Sequence, residues 1–246
     1  MWKCSCGMQS EGAITPQVVA KIAIYRGKLY FSFIDDGSGE TRDMFGMFIN
    51  EFVGALVQVL LFSLIPLIFW LIFAGRKQNF FKWIGIKKIK HEGKWWGTAC
   101  AILIATGLYI GLTSFAIRFL PEGVTTAGSD FAGKGFAAFP AVLAYGFIRT
   151  GLSEEIVFRG FLLKRFGEKF GFITGNIIQA ILFGMMHGIP FGLATHNIPV
   201  TIIMTILPGA FGWFQGWMNE KKFGGSIIPS WFLHGTINVI VATIAL

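Results

Sequence analysis

From residue 48 onward, the chain alternates between long apolar stretches and short segments that carry most of its charge. The apolar stretches are 48–74, 97–120, 135–163, 172–187, 200–218 and 226–246. A helix needs about 20 mostly apolar residues to cross the hydrocarbon core of a bilayer. Only 172–187, with 16 residues, is clearly shorter than that. The pattern predicts an all-α polytopic membrane protein with about six transmembrane helices.

Two features of the pattern predict interruptions between or within these helices. Pro208-Gly209 lies inside the fifth stretch. Because Pro lacks the backbone N–H and crowds the preceding turn, we expect the helix to break there. Residues 188–199 carry no charge and contain two prolines, so we expect them to form the outer loop between the fourth and fifth spans.

The first 47 residues differ from the rest of the chain in mixing acidic, basic and apolar residues. Within them, residues 20–34 alternate apolar and polar positions on either side of Arg26-Gly27. This alternation predicts a β-hairpin with a glycine turn. We therefore expect a small soluble N-terminal segment at 1–47, followed by a transmembrane helical domain at 48–246.

The N-terminal segment also contains the sequence KCSCG, with Cys4 and Cys6 one residue apart. Half of a zinc ribbon looks like this, but the second cysteine pair that such a site needs is missing. A degenerate remnant of a metal site and a site completed by a partner are equally compatible with the sequence.

Composition agrees with a membrane protein and indicates its orientation. Hydrophobic residues make up 54% of the chain and charged residues 14%, against about 25% in soluble domains. The net charge of +8 is concentrated in loops, above all in residues 76–94, which carry seven Lys or Arg and one acid. This bias places that loop in the cytoplasm and both chain ends outside. We expect a multi-pass protein of the cell membrane, surrounded by lipid, with no nucleic-acid partner.

Four charged residues interrupt the third apolar stretch: Arg149, Glu154, Glu155 and Arg159. A charge at the centre of a bilayer costs about 2.5–3.5 kcal/mol on insertion scales, so such residues are functional candidates. Glu155 and Arg159 are four apart and share one helix face, whereas Glu154 is turned by about 100°. We expect Glu155 and Arg159 to pair and Glu154 to remain for chemistry, with Arg149 a candidate second counter-ion.

Two other spans carry histidines, His187 in the fourth and His234 in the sixth, where Asn238 follows one turn later. Polar groups facing lipid would be unsatisfied, so we expect these side chains to meet Glu154 inside the protein. Counted from the basic residues at the inner ends of their spans, Glu154 and His234 lie at similar depths, roughly 15 and 18 Å. His187 lies roughly 27 Å deep, so its helix must tilt or start later.

A carboxylate, two imidazoles and an amide are suited to activating water. Glu154 can accept a proton from water, His187 can orient that water, and the Asn238 amide can donate to a developing oxyanion. Glu154, His187 and His234 also form a plausible zinc ligand set with an open position. Both interpretations lead to peptide-bond hydrolysis in the membrane. A purely structural Glu155–Arg159 pair, or a histidine that only joins helices, is the alternative.

Three segments resemble the motifs of a known family. EEIVFR at 154–159, FGMMH at 183–187 and HGTIN at 234–238 resemble EExxxR, FxxxH and HxxxN of the CAAX protease and bacteriocin-processing (Abi) family of intramembrane proteases. The resemblance covers about residues 135–246 and implies a membrane endopeptidase, either metal-dependent or glutamate-based.

The family's roles carry over to matching positions of this chain. They imply that Glu154 and His187 activate water and that Asn238 stabilises the oxyanion. They also imply that Glu155 and Arg159 are structural or orient the substrate, with His234 in support. The implied substrate is a membrane-associated peptide, a lipidated tail or a membrane protein.

Two other classes of function remain open. One is a non-catalytic relative, such as a membrane scaffold or a bacteriocin-immunity protein that acts by binding. The other is a transporter in which the buried charges relay protons. The absence of an internal sequence repeat of the kind that transporters often show argues against transport.

Overall fold

The computed structural model describes residues 20–25, 28–33, 39–75, 77–118 and 127–244. Within these residues, helices account for nearly all of the regular structure. They are α1 (Gly39–Phe73), α2 (Phe80–Trp83), α3 (Trp95–Ile117), α4 (Phe136–Phe170), α5 (Phe172–Thr195), α6 (Ile198–Lys222) and α7 (Ile228–Ile244). A short 3-10 helix, Ala127–Phe131, precedes α4.

Two short strands lie before the first helix. Strands β1 (Ala20–Tyr25) and β2 (Lys28–Phe33) pair in antiparallel register. The turn at Arg26-Gly27 lies outside the described residues, as do Cys4 and Cys6. The complete hairpin, the metal-site remnant and the domain division at residue 47 therefore stay predictions.

Five helices of the described chain are long and apolar enough to cross a membrane: Met44–Phe73 of α1, then α3, α4, α5 and α6. The predicted class, a multi-pass helical membrane protein, is confirmed, with five long spans in the described residues where about six were expected. The stretch expected to be the sixth forms α7, which has only 17 residues.

Two contacts fix where α7 begins. The Ser226 hydroxyl donates to the Lys87 carbonyl at 2.9 Å, and the Ile227 N–H donates to the Gly85 carbonyl at 3.0 Å. These bonds hold the two residues in a turn against the loop between α2 and α3. Helix α7 therefore begins at Ile228, packed against the protein interior.

The expected interruptions are absent from the described helices. Helix α5 continues to Thr195 through Pro190, so a loop beginning at residue 188 is wrong, and α6 runs unbroken through Pro208. Helices α5 and α6 pack closely because α5 has small residues at the contact. A Cβ atom added to Gly188 would lie 1.9 Å from Oγ1 of Thr205, so only glycine fits there. This packing supports both helices around their prolines.

Helix α4 occupies the interior of the bundle. In its most apolar part, 44% of residues are buried, against 6% in the most apolar parts of α1 and α3. Its close approach to α7 depends on Gly235, because a Cβ atom there would lie 2.4 Å from the Phe147 ring. The Trp231 indole N–H also donates to the Phe147 carbonyl at 2.6 Å. Glu154, Glu155 and Arg159 of α4 are buried within this bundle.

The winding of α4 changes around its charged residues. Ala144–Leu152 and Ile156–Leu162 are π-helical, and Ser153–Glu155 between them is α-helical. Wide π turns occur frequently at functional sites. The helix continues past its predicted end at residue 163 as far as Phe170.

Candidate active site

The side chains of Glu155 and Arg159 form an ion pair that is completely buried. Nη1 of Arg159 lies 3.1 Å from Oε1 of Glu155, and neither side chain is exposed. This is the pair expected from the four-residue spacing. The Glu155 carboxylate also accepts a hydrogen bond from the Ser230 hydroxyl, and its Oε1 lies 3.2 Å from Nδ1 of His234. Arg159, Ser230 and His234 together satisfy the charge of this carboxylate.

Helix α6 completes the network around the ion pair. Arg159 donates from Nη2 to Oε1 of Gln215 at 2.5 Å, and Gln215 donates from Nε2 to the Ser230 carbonyl at 3.2 Å. Asn219, one turn later, donates from Nδ2 to the Ser230 hydroxyl at 2.6 Å. The Arg159 guanidinium also lies over the Phe183 ring, 4.1 Å from its centroid. Four helices therefore fix Glu155 and Arg159.

Glu154 has a different environment from its neighbour. Its Oε2 atom is buried and has no hydrogen-bond partner in the described part of the chain. Two imidazoles lie just beyond hydrogen-bond distance: Nε2 of His234 at 3.7 Å and Nε2 of His187 at 3.9 Å. The three side chains, one each from α4, α5 and α7, thus meet around one volume.

The full length of α4 accounts for the depth of His187. Measured from the end of α4 at Phe170, Glu154 lies 16 residues deep. His187 lies 15 residues after Phe172, where α5 begins. The two depths agree because the turn between α4 and α5 lies after Phe170, whereas the sequence had placed the end of α4 at residue 163.

Hydrogen-bond partners define how the two imidazoles face Glu154. Nδ1 of His187 lies 2.9 Å from the Phe183 carbonyl, and Nδ1 of His234 faces the Glu155 carboxylate. Both partners can only accept, so Nδ1 carries the hydrogen in each ring. In the neutral rings Nε2 is then an acceptor. In its neutral form, each histidine therefore presents an unprotonated nitrogen to the Glu154 carboxylate.

The spacing of these acceptors is wider than the spacing of ligand atoms around tetrahedral zinc. Tetrahedral zinc, with bonds of about 2.0–2.1 Å, holds neighbouring ligand atoms about 3.3 Å apart. The distances from Oε2 of Glu154, 3.7 and 3.9 Å, are wider than that. They leave room for an oxygen hydrogen-bonded to both groups at about 2.8 Å. Among the described residues, no group of three His, Cys, Asp or Glu side chains is arranged to hold a metal. Zinc held by Glu154, His187 and His234 stays a prediction.

Asn238 lies one helical turn beyond His234 on α7. Its Nδ2 atom donates to the Thr150 hydroxyl of α4 at 2.7 Å. Thr150 in turn lies one turn before Glu154. The bond between Asn238 and Thr150 therefore forms a second link between the same two helices, next to the contact between Glu154 and His234.

Arg149 is not a counter-ion for the glutamate pair. Its Nη1 atom lies 3.0 and 2.9 Å from the two carboxylate oxygens of Glu51 in α1. Gln58, also in α1, donates to the Arg149 carbonyl at 2.9 Å. The sequence-based role for Arg149 is wrong, because a charged partner 98 residues away satisfies it first.

Sequence reasoning left several polar residues out of the site. Glu51, Thr150, Gln215 and Ser230 each lie within a helix and bind one of the charged or catalytic candidates. Asn219 binds Ser230 and so joins the same network one step further out. Polar residues inside apolar stretches must find partners within the protein, and this was the available signal. The sequence does not show which partner each one finds.

The fold and the site together define a class: multi-pass helical membrane proteins that hold acid–base side chains in a buried site between helices. Within this class, the family model described as Type II CAAX prenyl endopeptidase Rce1-like matches residues 136–240. These residues form an Rce1-like domain, and the resemblance to the CAAX protease family is confirmed. By its description, the family is one of endopeptidases. No curated protein and no solved structure matches the chain significantly.

Proposed function

We propose that this protein is an intramembrane endopeptidase that hydrolyses peptide bonds of membrane-associated substrates, including prenylated CAAX-type tails. The observation that carries the proposal is the meeting of Glu154, His187 and His234 inside a domain of the Rce1-like family. An unpartnered buried carboxylate oxygen beside two imidazole acceptors is suited to holding a water molecule and taking its proton.

The proposed reaction assigns one role to each group at this site. A water bound between Glu154 and His187 attacks the scissile carbonyl, and Glu154 accepts its proton. Glu154 then delivers the proton to the leaving amine as the C–N bond breaks. The Asn238 amide donates to the oxyanion of the tetrahedral intermediate. Glu155, held by Arg159 and Ser230, keeps His234 oriented toward Glu154.

Cleavage by the full chain in lipid vesicles tests this proposal. The substrate is a peptide with a farnesylated cysteine three residues before its carboxyl end, and the unprenylated peptide is the comparison. We expect the wild type to release a tripeptide and His187→Ala to lose at least about a hundredfold in rate. His196→Ala is the matched control, because His196 is exposed and lies outside the three motifs. No cleavage by the wild type, or equal rates for both variants, would contradict a protease.

The same samples test whether the reaction uses a metal and whether the protein instead has one of the other functions. The wide spacing around Glu154 supports water activation without a metal, so we expect no stoichiometric zinc and unchanged cleavage after chelation. One zinc per chain, lost in His187→Ala, would replace this assignment with a metal-bound water. A membrane scaffold or immunity protein would keep its biological activity in His187→Ala. A transporter would show flux driven by a pH gradient.

A further inference from the structure

The second link between α4 and α7, formed by Thr150 and Asn238, is more than a contact between helices. Nδ2 of Asn238 lies 2.7 Å from Oγ1 of Thr150. Both residues lie one turn from a site residue, Thr150 from Glu154 and Asn238 from His234. The link therefore connects the two helices that carry the carboxylate and the oxyanion donor of the proposed function.

The hydrogen-bond partners of Thr150 fix the direction of this bond. Its hydroxyl lies 3.0 Å from the Tyr145 carbonyl and 3.2 Å from the Gly146 carbonyl, and both can only accept. A hydroxyl has one hydrogen, and these carbonyls take it. Toward Asn238, Oγ1 of Thr150 can therefore only accept. This requires the NH₂ group of Asn238, and not its carbonyl oxygen, to face Thr150.

The orientation of the amide has a consequence for catalysis. One N–H of Asn238 is bound to Thr150, and this is its one side-chain hydrogen bond in the described part of the chain. The second N–H of the same group is free to donate to a ligand. If the amide were flipped, Asn238 would present its carbonyl oxygen in that place, and an oxyanion would be repelled.

We propose that Thr150 is a positioning residue that holds the side-chain amide of Asn238 in the orientation needed to donate to the oxyanion. The proposal rests on the proposed function for the role of Asn238. It assigns Thr150 a part in catalysis through a hydrogen bond alone, without contact to the substrate. The three sequence motifs do not include this position.

Two substitutions at Thr150 separate positioning from packing. Thr150→Val keeps the shape and removes the acceptor, whereas Thr150→Ser keeps the hydroxyl and removes a methyl group. We expect Thr150→Val to lower kcat by about tenfold or more with KM within about twofold, less than the 10²–10³ loss on deleting an oxyanion donor. Thr150→Ser should retain most of kcat. Equal losses in both variants, or no loss in Thr150→Val, would overturn the proposal.

Thr243→Val is the matched control for the hydroxyl. Thr243 lies on α7, and its hydroxyl donates to the Val239 carbonyl at 2.7 Å, with no site residue as partner. We expect this variant to keep the wild-type kcat. A loss as large as that of Thr150→Val would mean that helix stability, and not the orientation of Asn238, controls the rate.

A double-mutant cycle tests whether Thr150 acts through Asn238. In an Asn238→Ala background, Thr150→Val should lower kcat by no more than about twofold further, because the group that it positions is gone. If the two losses multiply instead, Thr150 acts by another route and the proposal is wrong.

A readout without substrate keeps this proposal separate from the proposed function. The side-chain NH₂ of Asn238 gives two ¹⁵N-correlated proton signals that Asn238→Ala assigns by their loss. We expect the signals to shift and to exchange faster with solvent in Thr150→Val but not in Thr150→Ser. Unchanged signals in Thr150→Val would overturn the positioning role. Absence of peptide cleavage by the wild type would overturn the protease and leave this measurement valid.

Discussion

The two faces of helix α4 that carry Glu154 and Glu155 differ in their partners and hardly at all in their burial. The Glu155 side chain is 0% exposed and that of Glu154 only 10%. On one face, Arg159, Ser230 and His234 surround the Glu155 carboxylate. On the other, Oε2 of Glu154 has imidazoles 3.7 and 3.9 Å away and no hydrogen bond within the described chain.

In the proposed function, this difference gives two neighbouring glutamates different roles: Glu155 supports the structure and Glu154 takes part in the reaction. A carboxylate held by a cation and two hydrogen-bond donors is stabilised in its charged form, which disfavours its taking up a proton. A carboxylate whose neighbours are acceptors, spaced for a water molecule, can exchange a proton with that water. We call the face with Glu155 the closed face and the face with Glu154 the open face. The closed face holds the His234 imidazole through its Nδ1 atom, and in the proposed reaction the open face uses the same imidazole.

Glu154→Gln tests the open face and should have the largest effect. The amide keeps the size of the side chain but cannot accept a proton from water, so we expect cleavage to fall by about 10²–10⁴-fold. The folded yield should not change, because no hydrogen bond to Oε2 from the described residues is lost. The measurement is the cleavage rate in vesicles, with the yield of monodisperse protein as its companion.

Glu155→Gln is the matched comparison for that variant. It makes the same carboxylate-to-amide change at the next residue, but there it removes the negative charge that faces Arg159 and His234. We expect it to lower both the folded yield and the cleavage rate. Equal yields for the two variants would show that the faces are equivalent and would end the division of roles drawn between them.

The apolar pattern predicted the helices well and their ends poorly. Hydropathy reports where a segment can lie in lipid, and each long apolar stretch became a helix. Helix ends depend on contacts with segments that are distant in sequence. Lys164-Arg165 looked like the inner end of α4, yet the helix continues to Phe170, and Lys164 pairs with Glu220 of α6 at 2.7 Å. Pro190 and Pro208 looked like breaks, yet helix–helix packing supports both positions.

For the site, periodicity predicted what lies along one helix and not what lies across helices. The spacing of Glu155 and Arg159 predicted their ion pair. The 100° offset predicted that Glu154 stays out of that pair, and its Oε2 has no hydrogen bond among the described residues. The partners supplied by α6, Gln215 and Asn219, are more than 50 residues from Arg159 in sequence. Single-sequence periodicity contains no information on such pairs, since they result from how helices pack.

Arg159→Met tests the closed face and should have the second largest effect. Removing one partner of a buried ion pair leaves the other charge uncompensated, which costs about 3–5 kcal/mol. Glu155 would retain only Ser230 and His234 as donors among the described residues. We expect a lower unfolding midpoint in detergent and a reduced folded yield. Wild-type stability in this variant would mean that the guanidinium contributes nothing to the closed face.

Ser230→Ala also tests the closed face. Among the three closed-face variants (Glu155→Gln, Arg159→Met and Ser230→Ala), we expect it to have the smallest effect. The substitution leaves Oε2 of Glu155 and Nδ2 of Asn219 without the hydroxyl that joins them, which costs about 1–3 kcal/mol. Because Glu155 orients His234, we also expect a several-fold lower cleavage rate. Ser226→Ala is the matched control, since its hydroxyl binds the Lys87 carbonyl at the start of α7.

Comparing these two serines tests whether the hydrogen-bond network around Glu155 affects the cleavage rate at Glu154. Both are fully buried, and they lie four residues apart. Ser226→Ala should lower the unfolding midpoint and leave the cleavage rate per folded molecule unchanged, because no residue near Glu154 depends on it. Ser230→Ala should lower both. If the two variants lose stability alone and cleave at the wild-type rate, the network around Glu155 supports only the fold, and the orientation of His234 does not depend on it.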